Sequence, residues 1–336
     1  MPVRAFTAWW EGVRRRLQGR QAPPADDGVH LHLEHLIGLR RQATRFHLVP
    51  RPASGSPLPG GYRALFRGRG MDFDELREYQ PGDDVRSIHW PVTARTGRTH
   101  TKTYREERER SIFLLIDLRR SMFFGTRKAF KSVVAARISA LLAWAAAEGG
   151  DRVGALIFRE DGLRLLKPLS GRRGVLRVLK GLVAMHRPSE AEGGGTDFAT
   201  ALHRLGTLMH PGAMLFIVSD FYELDAASQP HLARLARHHD VLGAFVYDPL
   251  EAEPPPAGCY PVTDGRATAV IDSEDAGYCR AHRAQFRARN DRVVAAFLRQ
   301  RSHLLRLSTA NTLDESLRRL FDVRERTRQS LRGRGG

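Results

Sequence analysis

The chain has 336 residues, 42% of them hydrophobic, and this length suits one large domain or two ordinary ones with a buried core. The formal net charge of +17 is strongly basic. Two widely separated cysteines, Cys259 and Cys279, argue against a disulfide-stapled secreted domain and are typical of a reducing, cytoplasmic setting. Residues 1–20 lack an apolar core of signal-peptide length, and no stretch approaches the ~18 apolar residues of a spanning helix. We therefore expect a cytoplasmic protein without a transmembrane segment.

Much of the positive charge lies at the two ends of the chain. Residues 1–28 are predicted to form a basic, flexible arm and linker, and residues 323–336 a basic tail. Residues 318–336 alone contain seven arginines. Such segments usually stay solvated, but they can also dock on an acidic protein, a nucleic acid or an anionic membrane surface.

Residues 29–110 are predicted to form an N-terminal extension, which begins with a short helical pattern over 29–45. This pattern places His30, His32 and His35 close together. No Cys or carboxylate ligand set accompanies them, so exposed histidines are favoured over a metal site.

A dense polar block follows in the same extension. The sequence Pro81-Gly82-Asp83-Asp84 predicts a turn, and the alternation in His100–Arg105 predicts a strand. The block is either a solvated, salt-bridged surface or a recognition surface, because loops rich in Arg and aromatic residues often bind partners. Its candidate partner-binding residues are Arg77, Tyr79, Asp83, Asp84, Arg86 and Trp90.

The stretch SIFLLIDLRRS, Ser111–Ser121, comes next. Its five consecutive apolar residues, Ile112 to Ile116, predict a strand that is buried on both faces. Asp117 ends the apolar run, and a helical pattern follows over Arg127–Glu148. A carboxylate at the end of a buried parallel strand lies in the crevice where open α/β sheets bind ligands.

Apolar runs of strand length alternate with helical patterns from this point onward. The alternation predicts an α/β fold with a doubly wound, mostly parallel sheet over residues 111–322. The further predicted strands are Arg152–Phe158, Leu163–Lys167, Ala213–Ser219, Val241–Tyr247 and Leu304–Leu307. The further predicted helices are Gly174–Met185, Phe198–Met209, Ala226–His239, Glu274–Arg301 and Leu313–Phe321, and Tyr260–Ile271 is predicted as a hairpin on the edge of the sheet.

Oxygen-bearing side chains follow three of the predicted strands. They are Asp117 with Ser121, Thr196 with Asp197, and Asp220 after Ser219. Carboxylates and hydroxyls that converge without imidazole or thiolate suit a hard cation such as Mg²⁺. Taken singly, each of these residues is explained as a cap or loop contact at a helix N-terminus. Taken together at one edge of the sheet, they favour a present or former ion site.

These residues resemble the metal-ion-dependent adhesion site of the von Willebrand factor A-like domain. That motif has Asp-x-Ser-x-Ser on the first strand, a Thr on a second loop and an Asp on a third. Asp117, Ser121, Thr196 and Asp220 match it. The resemblance implies Mg²⁺ or Mn²⁺ as the bound ion and a protein as the partner.

More specifically, the chain resembles the domain-of-unknown-function 58 family. The resemblance rests on RGRGMDFDELREYQPGDDVRSIHW, TARTG and EERER before the first long strand, and on GDRVG at 150–154, GGTDF at 194–198, SDF at 219–221 and HDV at 239–241. It covers Leu31 to Phe321, although His89 stands where the family more often has Asp. It implies a non-enzymatic protein-binding adaptor that cooperates with a MoxR-type AAA+ ATPase, acting as a chaperone in the assembly or activation of protein complexes.

One departure from the adhesion motif affects the predicted site. Arg119, with Arg120 beside it, stands where the motif has its first Ser, and a guanidinium repels a cation instead of ligating it. Either Arg119 folds in and pairs with Asp117 and Asp220 in place of the metal, or it points into solvent and leaves a weakened site. We expect a degenerate site with weak or absent Mg²⁺ or Mn²⁺ binding, and partner recognition through Arg119, Arg120 and Asp197.

Other function classes have less support in the sequence. A nucleic-acid-binding protein that uses its basic surface is the main alternative, but the Arg-rich C-terminus has no base-stacking aromatic residue after Phe321. Gly193–Gly195 lacks the Gly-Lys-Ser/Thr of a phosphate-binding P-loop. A Gly-x-Ser-x-Gly nucleophile elbow is absent as well. We therefore expect no enzymatic activity.

Overall fold

The computed structural model of the chain describes residues 26–44, 71–80, 85, 88–106, 110–189, 196–263, 268–311 and 315. The chain divides into two units. The first holds residues 1–49 and 110–336, and the second holds residues 50–109.

Two short helices begin the described part of the first unit, α1 (Leu33–Gly38) and α2 (Arg40–Ala43). They lie within the helical pattern predicted over 29–45, which is interrupted at Leu39. Leu36 is fully buried, and its carbonyl accepts a hydrogen bond of 3.1 Å from the indole N–H of Trp144. The beginning of the predicted extension is therefore packed into the core of the first unit.

The second unit contains a hairpin and a helix. Strand β1 (Met71–Glu78) precedes helix α3 (Trp90–Thr96), and strand β2 (His100–Glu106) then pairs with β1 in antiparallel register. The strand predicted at His100–Arg105 is confirmed. Helix α3 ends at Gly97, whose φ of 70° is the left-handed conformation that favours glycine at this position.

The first unit is built on a six-stranded sheet. Its strands are β3 (Ser111–Asp117), β4 (Arg152–Arg159), β5 (Gly162–Ser170), β6 (Met214–Ser219), β7 (Asp240–Tyr247) and, after the hairpin β8 (Cys259–Thr263) and β9 (Thr268–Asp272), β10 (His303–Ser308). The order across the sheet is β10-β7-β6-β3-β4-β5. All neighbours are parallel except β5, which returns antiparallel to β4. The predicted mostly parallel sheet is confirmed.

Helices cover both faces of this sheet. They are α4 (Lys131–Glu148), α5 (Gly171–Met185), α6 (Phe198–Leu208), α7 (Ser228–His238), α8 (Pro249–Ala252) and α9 (Ala276–Arg299). Alternate residues of β3 explain the two layers, since Ile112, Leu114 and Ile116 pack with α1, α4 and α5, whereas Phe113 and Leu115 pack with α6, α7 and α9. The predicted doubly wound architecture follows from this alternation.

Two details differ from the sequence-based expectation. The β8–β9 hairpin forms a separate two-stranded sheet, because β10 and β5 occupy the edges of the large sheet. Helix α4 begins at Lys131 instead of Arg127, since the preceding loop is held by hydrogen bonds from the backbone N–H and hydroxyl of Thr126 to Asp248. The helix predicted at Leu313–Phe321 lies, except for residue 315, outside the described residues. None of the described helices is long and apolar enough to cross a membrane.

The close approach of β5 to β4 depends on Gly154. A Cβ at this position would lie 2.8 Å from the carbonyl oxygen of Leu166 and 2.9 Å from the backbone nitrogen of Pro168. Because both are backbone atoms, Gly154→Ala should lower the free energy of unfolding by about 1–3 kcal/mol. Gly38→Ala is the matched control, since a Cβ there meets nothing within 4 Å. Urea denaturation compares the two variants, and equal effects would contradict the assignment.

Candidate functional site

Asp117 is the last residue of β3, and its carboxylate is fully buried. The chain turns back at Arg119, whose backbone N–H and Nε each donate to Asp117 Oδ1 at 3.0 Å and whose Nη2 donates to Oδ2 at 2.8 Å. The hydroxyl of Ser219 donates to the same Oδ2 at 2.7 Å. Because a carboxylate offers about four acceptor positions, Asp117 is saturated by donors of its own chain.

The guanidinium of Arg119 is itself buried, with 3% of the residue exposed. Its Cζ lies 5.2 Å from the ring centre of Phe158 and 5.9 Å from that of Phe198, and its Nη1 forms an ion pair with Glu223 on the loop after β6. Burial acts to lower the pKa of Arg119, but the charge and hydrogen bonds of Asp117 outweigh it, and the pKa is raised. Arg119 is therefore a permanently charged group at this edge.

Asp220 directly follows β6, is fully buried, and pairs with a different cation. The Nζ of Lys131 lies 2.8 Å from Asp220 Oδ2, and the backbone N–H of Tyr222 donates to Oδ1 of this carboxylate at 3.2 Å. Burial acts to raise the pKa of Asp220, but the charge of Lys131 and its hydrogen bond hold the pKa below the usual value. Of the two predicted outcomes for Arg119, the structure shows the inward one. Its predicted pairing with Asp220 is wrong, because Lys131 occupies that place.

Lys131 connects this edge to the end of β7. Its Nζ also lies 2.8 Å from Glu251 Oε1, and Glu251 Oε2 accepts the backbone N–H of Asp248 at 3.0 Å, which completes a capping box at α8. The Asp248 carboxylate accepts hydrogen bonds from Thr126 and Thr309. Lys131 is the first residue of α4, where the helix dipole favours nearby carboxylates. The ends of β6, β7 and β10 are thus joined in one polar network.

Lys131 was not predicted as a site residue, although the sequence contains a signal for it. It opens the segment KSVVAARISALLAWAAAE, whose residues are mostly apolar on every side of a helix. In the structure Lys131–Ala136 and Ile138–Ala146 are all buried. A lysine is almost never fully buried unless it is paired, so this position requires carboxylate partners. The partners themselves are 89 and 120 residues away in sequence, and no local pattern identifies them.

The loop of Thr196 and Asp197 lies beside Glu160, the first residue of the turn between β4 and β5. The backbone N–H of Thr196 donates to the Glu160 carbonyl at 3.0 Å, and Glu160 Oε1 accepts the backbone N–H of Arg120 at 2.6 Å. Asp197 caps α6 by accepting the N–H of Thr200 at 2.6 Å. The structure therefore joins Arg120 to the loop of Thr196 through Glu160, and it gives Asp197 the capping role that the sequence left as an alternative.

The remaining candidates belong to the second unit. Trp90 opens α3 and is 64% exposed, Tyr79 is half-buried, and Arg77 lies in β1. His89 is the N-cap of α3, where its Nδ1 accepts the N–H of Val92 at 3.3 Å. The other candidates, Asp83, Asp84 and Arg86, lie outside the described residues.

A divalent cation does not fit the arrangement at this edge. All four acceptor positions of Asp117 are taken, Asp220 is paired with Lys131, and two fixed positive charges would repel the ion. In the described part of the chain, no group of three or more His, Cys, Asp or Glu side chains is arranged to hold a metal ion. The predicted ligands Asp117 and Asp220 lie at the ends of the neighbouring strands β3 and β6, and Ser121 lies in the loop after β3, but Arg119 and Lys131 occupy the two carboxylates.

Comparisons with known proteins identify the family to which this chain is similar. The family model described as "Protein of unknown function DUF58" matches residues 75–295. Uncharacterized proteins of Mycobacterium bovis and Mycobacterium tuberculosis are 32% identical over 213 residues, and the match covers 63% of this chain and 66% of each relative.

Solved structures also align with the chain. The conserved hypothetical protein BatB from Bacteroides thetaiotaomicron is 16% identical, with a TM-score of 0.39 and coverage of 64% of this chain and 99% of that chain. An aerotolerance-related membrane protein from Bacteroides fragilis is 14% identical, with a TM-score of 0.40 and the same coverage. A von Willebrand factor type A structure from Catenulispora acidiphila is 17% identical, with a TM-score of 0.29 and coverage of 45% of this chain and 35% of that chain.

Lys131→Met should strongly destabilise the fold at neutral pH. It leaves Asp220 without its cation and Glu251 with Arg289 alone, 3.4 Å away, and removal of one partner of a buried pair costs about 3–5 kcal/mol. Lys128→Met is the matched control, because Lys128 is exposed just before the same helix. Urea denaturation at pH 7 should separate the two variants, and equal stability would contradict the network.

The same substitution has an expected pH dependence. In the unmodified chain the lowered pKa of Asp220 contributes stability above the unfolded pKa of 3.8, and this is lost only as pH falls through the lower folded pKa. Without Lys131, burial loses the charge that mainly opposes it and raises the pKa of Asp220, so the folded variant takes up a proton. The stability difference between Lys131→Met and the unmodified chain should therefore shrink from pH 7 to pH 4.5. A constant difference would show that Asp220 is not the affected group.

A prediction about metal binding concerns the two buried cations, Arg119 and Lys131. Arg119→Ser alone should raise Mn²⁺ affinity little, because Lys131 still holds Asp220. Arg119→Ser with Lys131→Gln frees both buried carboxylates, so Mn²⁺ should raise the melting temperature of the double variant by several degrees relative to EDTA. Adding Asp220→Asn should abolish that rise. An equal rise in the unmodified chain would show that an ion binds beside Arg119.

Proposed function

The chain belongs to the DUF58 family of proteins of unknown function, and we propose that it is a non-enzymatic adaptor that binds another protein at the carboxyl edge of its sheet. The observation that carries the proposal is the closed contact between Arg119 and Asp117, in which every acceptor position of the carboxylate is filled from within the chain. The edge is thereby ordered before any partner arrives, and a preordered surface binds at a lower entropic cost.

The loop after β6 gives this edge its contact surface. Tyr222 and Glu223 are each 53% exposed, while Phe221 before them is buried and Glu223 is held by Arg119. An exposed aromatic residue beside an oriented charge is the composition of many protein-binding hot spots. Arg120, on the neighbouring loop, adds a half-buried positive charge.

The chemistry of the hydroxyl groups supports binding over catalysis. Ser219 donates to Asp117, and both Asp117 and Asp220 are already paired with cations. A nucleophilic hydroxyl needs a base that can take its proton, and these paired carboxylates are poor bases. The Ser219 hydroxyl therefore acts as a structural donor.

A MoxR-type AAA+ ATPase is the partner that family resemblance suggests. The strongly basic chain would favour an acidic docking surface on such a partner. In this proposal Mg²⁺ or Mn²⁺ is not part of the contact at Asp117, because Arg119 and Lys131 supply the positive charge there. Assembly or activation of protein complexes by the pair is the resulting role.

The proposal is tested by binding to the MoxR-type ATPase of the same organism, immobilised for biolayer interferometry. Glu223→Ala should weaken binding by about 1–2 kcal/mol, or roughly 5- to 30-fold in Kd. Asp240→Ala is the control. It also removes one negative charge, but Asp240 is the first residue of β7 and lies at the opposite edge of the sheet, so the substitution should change Kd less than about twofold. Equal losses in the two variants, or no binding of the unmodified chain, would refute the adaptor proposal in this form.

A further inference from the structure

A cavity of about 240 Å³ lies next to the polar network. Its lining includes Tyr222, Glu251, His282, Phe286, Arg289 and Arg292. Glu251 belongs both to this cavity and to the network, since it also binds Lys131. The volume is below the ~300–1,000 Å³ of pockets that hold whole drug-sized ligands, so it suits one side chain or a small ion better than a cofactor.

Arg289 lines this cavity, and one of its donors is unmet. The residue is 8% exposed, and its Nε has no hydrogen-bond partner among the described residues. Its Cζ lies 5.0 Å from the ring centre of Tyr222, 5.3 Å from that of Phe286 and 5.8 Å from that of Phe245. Buried donors are nearly always paired, so an orphan donor on a buried guanidinium points to an acceptor supplied from outside.

The carboxylate nearest to Arg289 does not meet this requirement. Glu251 Oε2 lies 3.4 Å from Arg289 Nη2 and also accepts the N–H of Asp248 at 3.0 Å, while Oε1 is held by Lys131, so neither oxygen is bonded to Nε. Arg292, three residues along the same helix, lines the cavity as well and adds a second positive charge. The nitrogens of His282 are engaged with Leu250 and Tyr278. Positive charge with unused donors therefore remains in the cavity.

We propose that this cavity binds the side-chain carboxylate of a Glu or Asp on a protein partner. The inference rests on the proposed adaptor function and names the chemistry that the partner presents. A planar guanidinium matches a carboxylate in a two-point contact, and aromatic walls around it exclude water and strengthen that contact. Tyr222 belongs to both the proposed contact surface and the cavity wall, so one acidic segment of a partner reaches both.

The test uses the full chain and two short peptides, acetyl-Gly-Phe-Glu-Phe-Gly-amide and its counterpart with Gln in place of Glu. The Nε–Hε resonance of Arg289, identified by its loss in Arg289→Lys, should shift saturably with the Glu peptide and stay in place with the Gln peptide. Inorganic phosphate is titrated in parallel at the same ionic strength. A saturable shift with phosphate and none with the Glu peptide would overturn the proposal in favour of a phosphate site.

Matched variants separate the cavity from general charge attraction. Arg292→Gln and Tyr222→Ala should each raise the Kd of the Glu peptide by about fivefold or more. Arg280→Gln removes the same charge from an exposed position of the same helix and should change it less than about twofold. Equal effects of Arg280→Gln and Arg292→Gln, or no shift with the Glu peptide at 150 mM salt, would overturn the proposal.

The two proposals fail in different ways. If the chain binds the MoxR-type ATPase and Glu223→Ala weakens that binding, but the Glu peptide leaves Arg289 unaffected, only the carboxylate cavity is refuted. If the Glu peptide binds at Arg289 but the ATPase does not bind the chain, the cavity stands and the proposed partner is refuted.

Discussion

The buried ammonium of Lys131 is the interaction on which the carboxyl edge depends. It lies 2.8 Å from both Asp220 and Glu251, and all three groups would be strongly unfavourable in the interior if unpaired. Lys131 begins α4, Asp220 follows β6, and Glu251 lies in α8 after β7. One ion cluster therefore fixes a helix against two strand ends. The positions of the loops around Asp117 follow from that fixed frame.

Arg119 and Lys131 together supply what a divalent cation supplies in an adhesion-type site, namely positive charge between converging carboxylates. The difference is that these cations are covalently part of the chain. Their charge does not depend on metal concentration, and burial of Arg119 against Phe158 and Phe198 leaves no coordination position open to a partner. In the proposed adaptor, recognition uses groups that are exposed around the edge, and Tyr222 and Glu223 are such groups.

The sequence predicts those parts of the molecule that depend on local pattern. The apolar run at Ile112–Ile116 has to be buried on both faces, which predicts a parallel central strand and helices on both sides. The closeness of Arg119 to Asp117 was also predictable, because they are only two positions apart in the chain. The pairing of Lys131 was not, since its carboxylates follow distant strands and only the completed topology brings them together. The β8–β9 hairpin shows the same limit, because strand order decides which segment occupies an edge.

Glu251 links the edge to the neighbouring cavity through the charges it shares. Its two oxygens serve Lys131, the N–H of Asp248 and, at 3.4 Å, Arg289. A carboxylate that binds Arg289 competes with Glu251 for that guanidinium. Glu251 then interacts less with Arg289 and more strongly with Lys131. Coupling of this kind is reciprocal, so whatever strengthens the Lys131–Glu251 pair also favours an external carboxylate at Arg289. The cluster that holds the fold together thus also sets how strongly the cavity attracts an acidic partner.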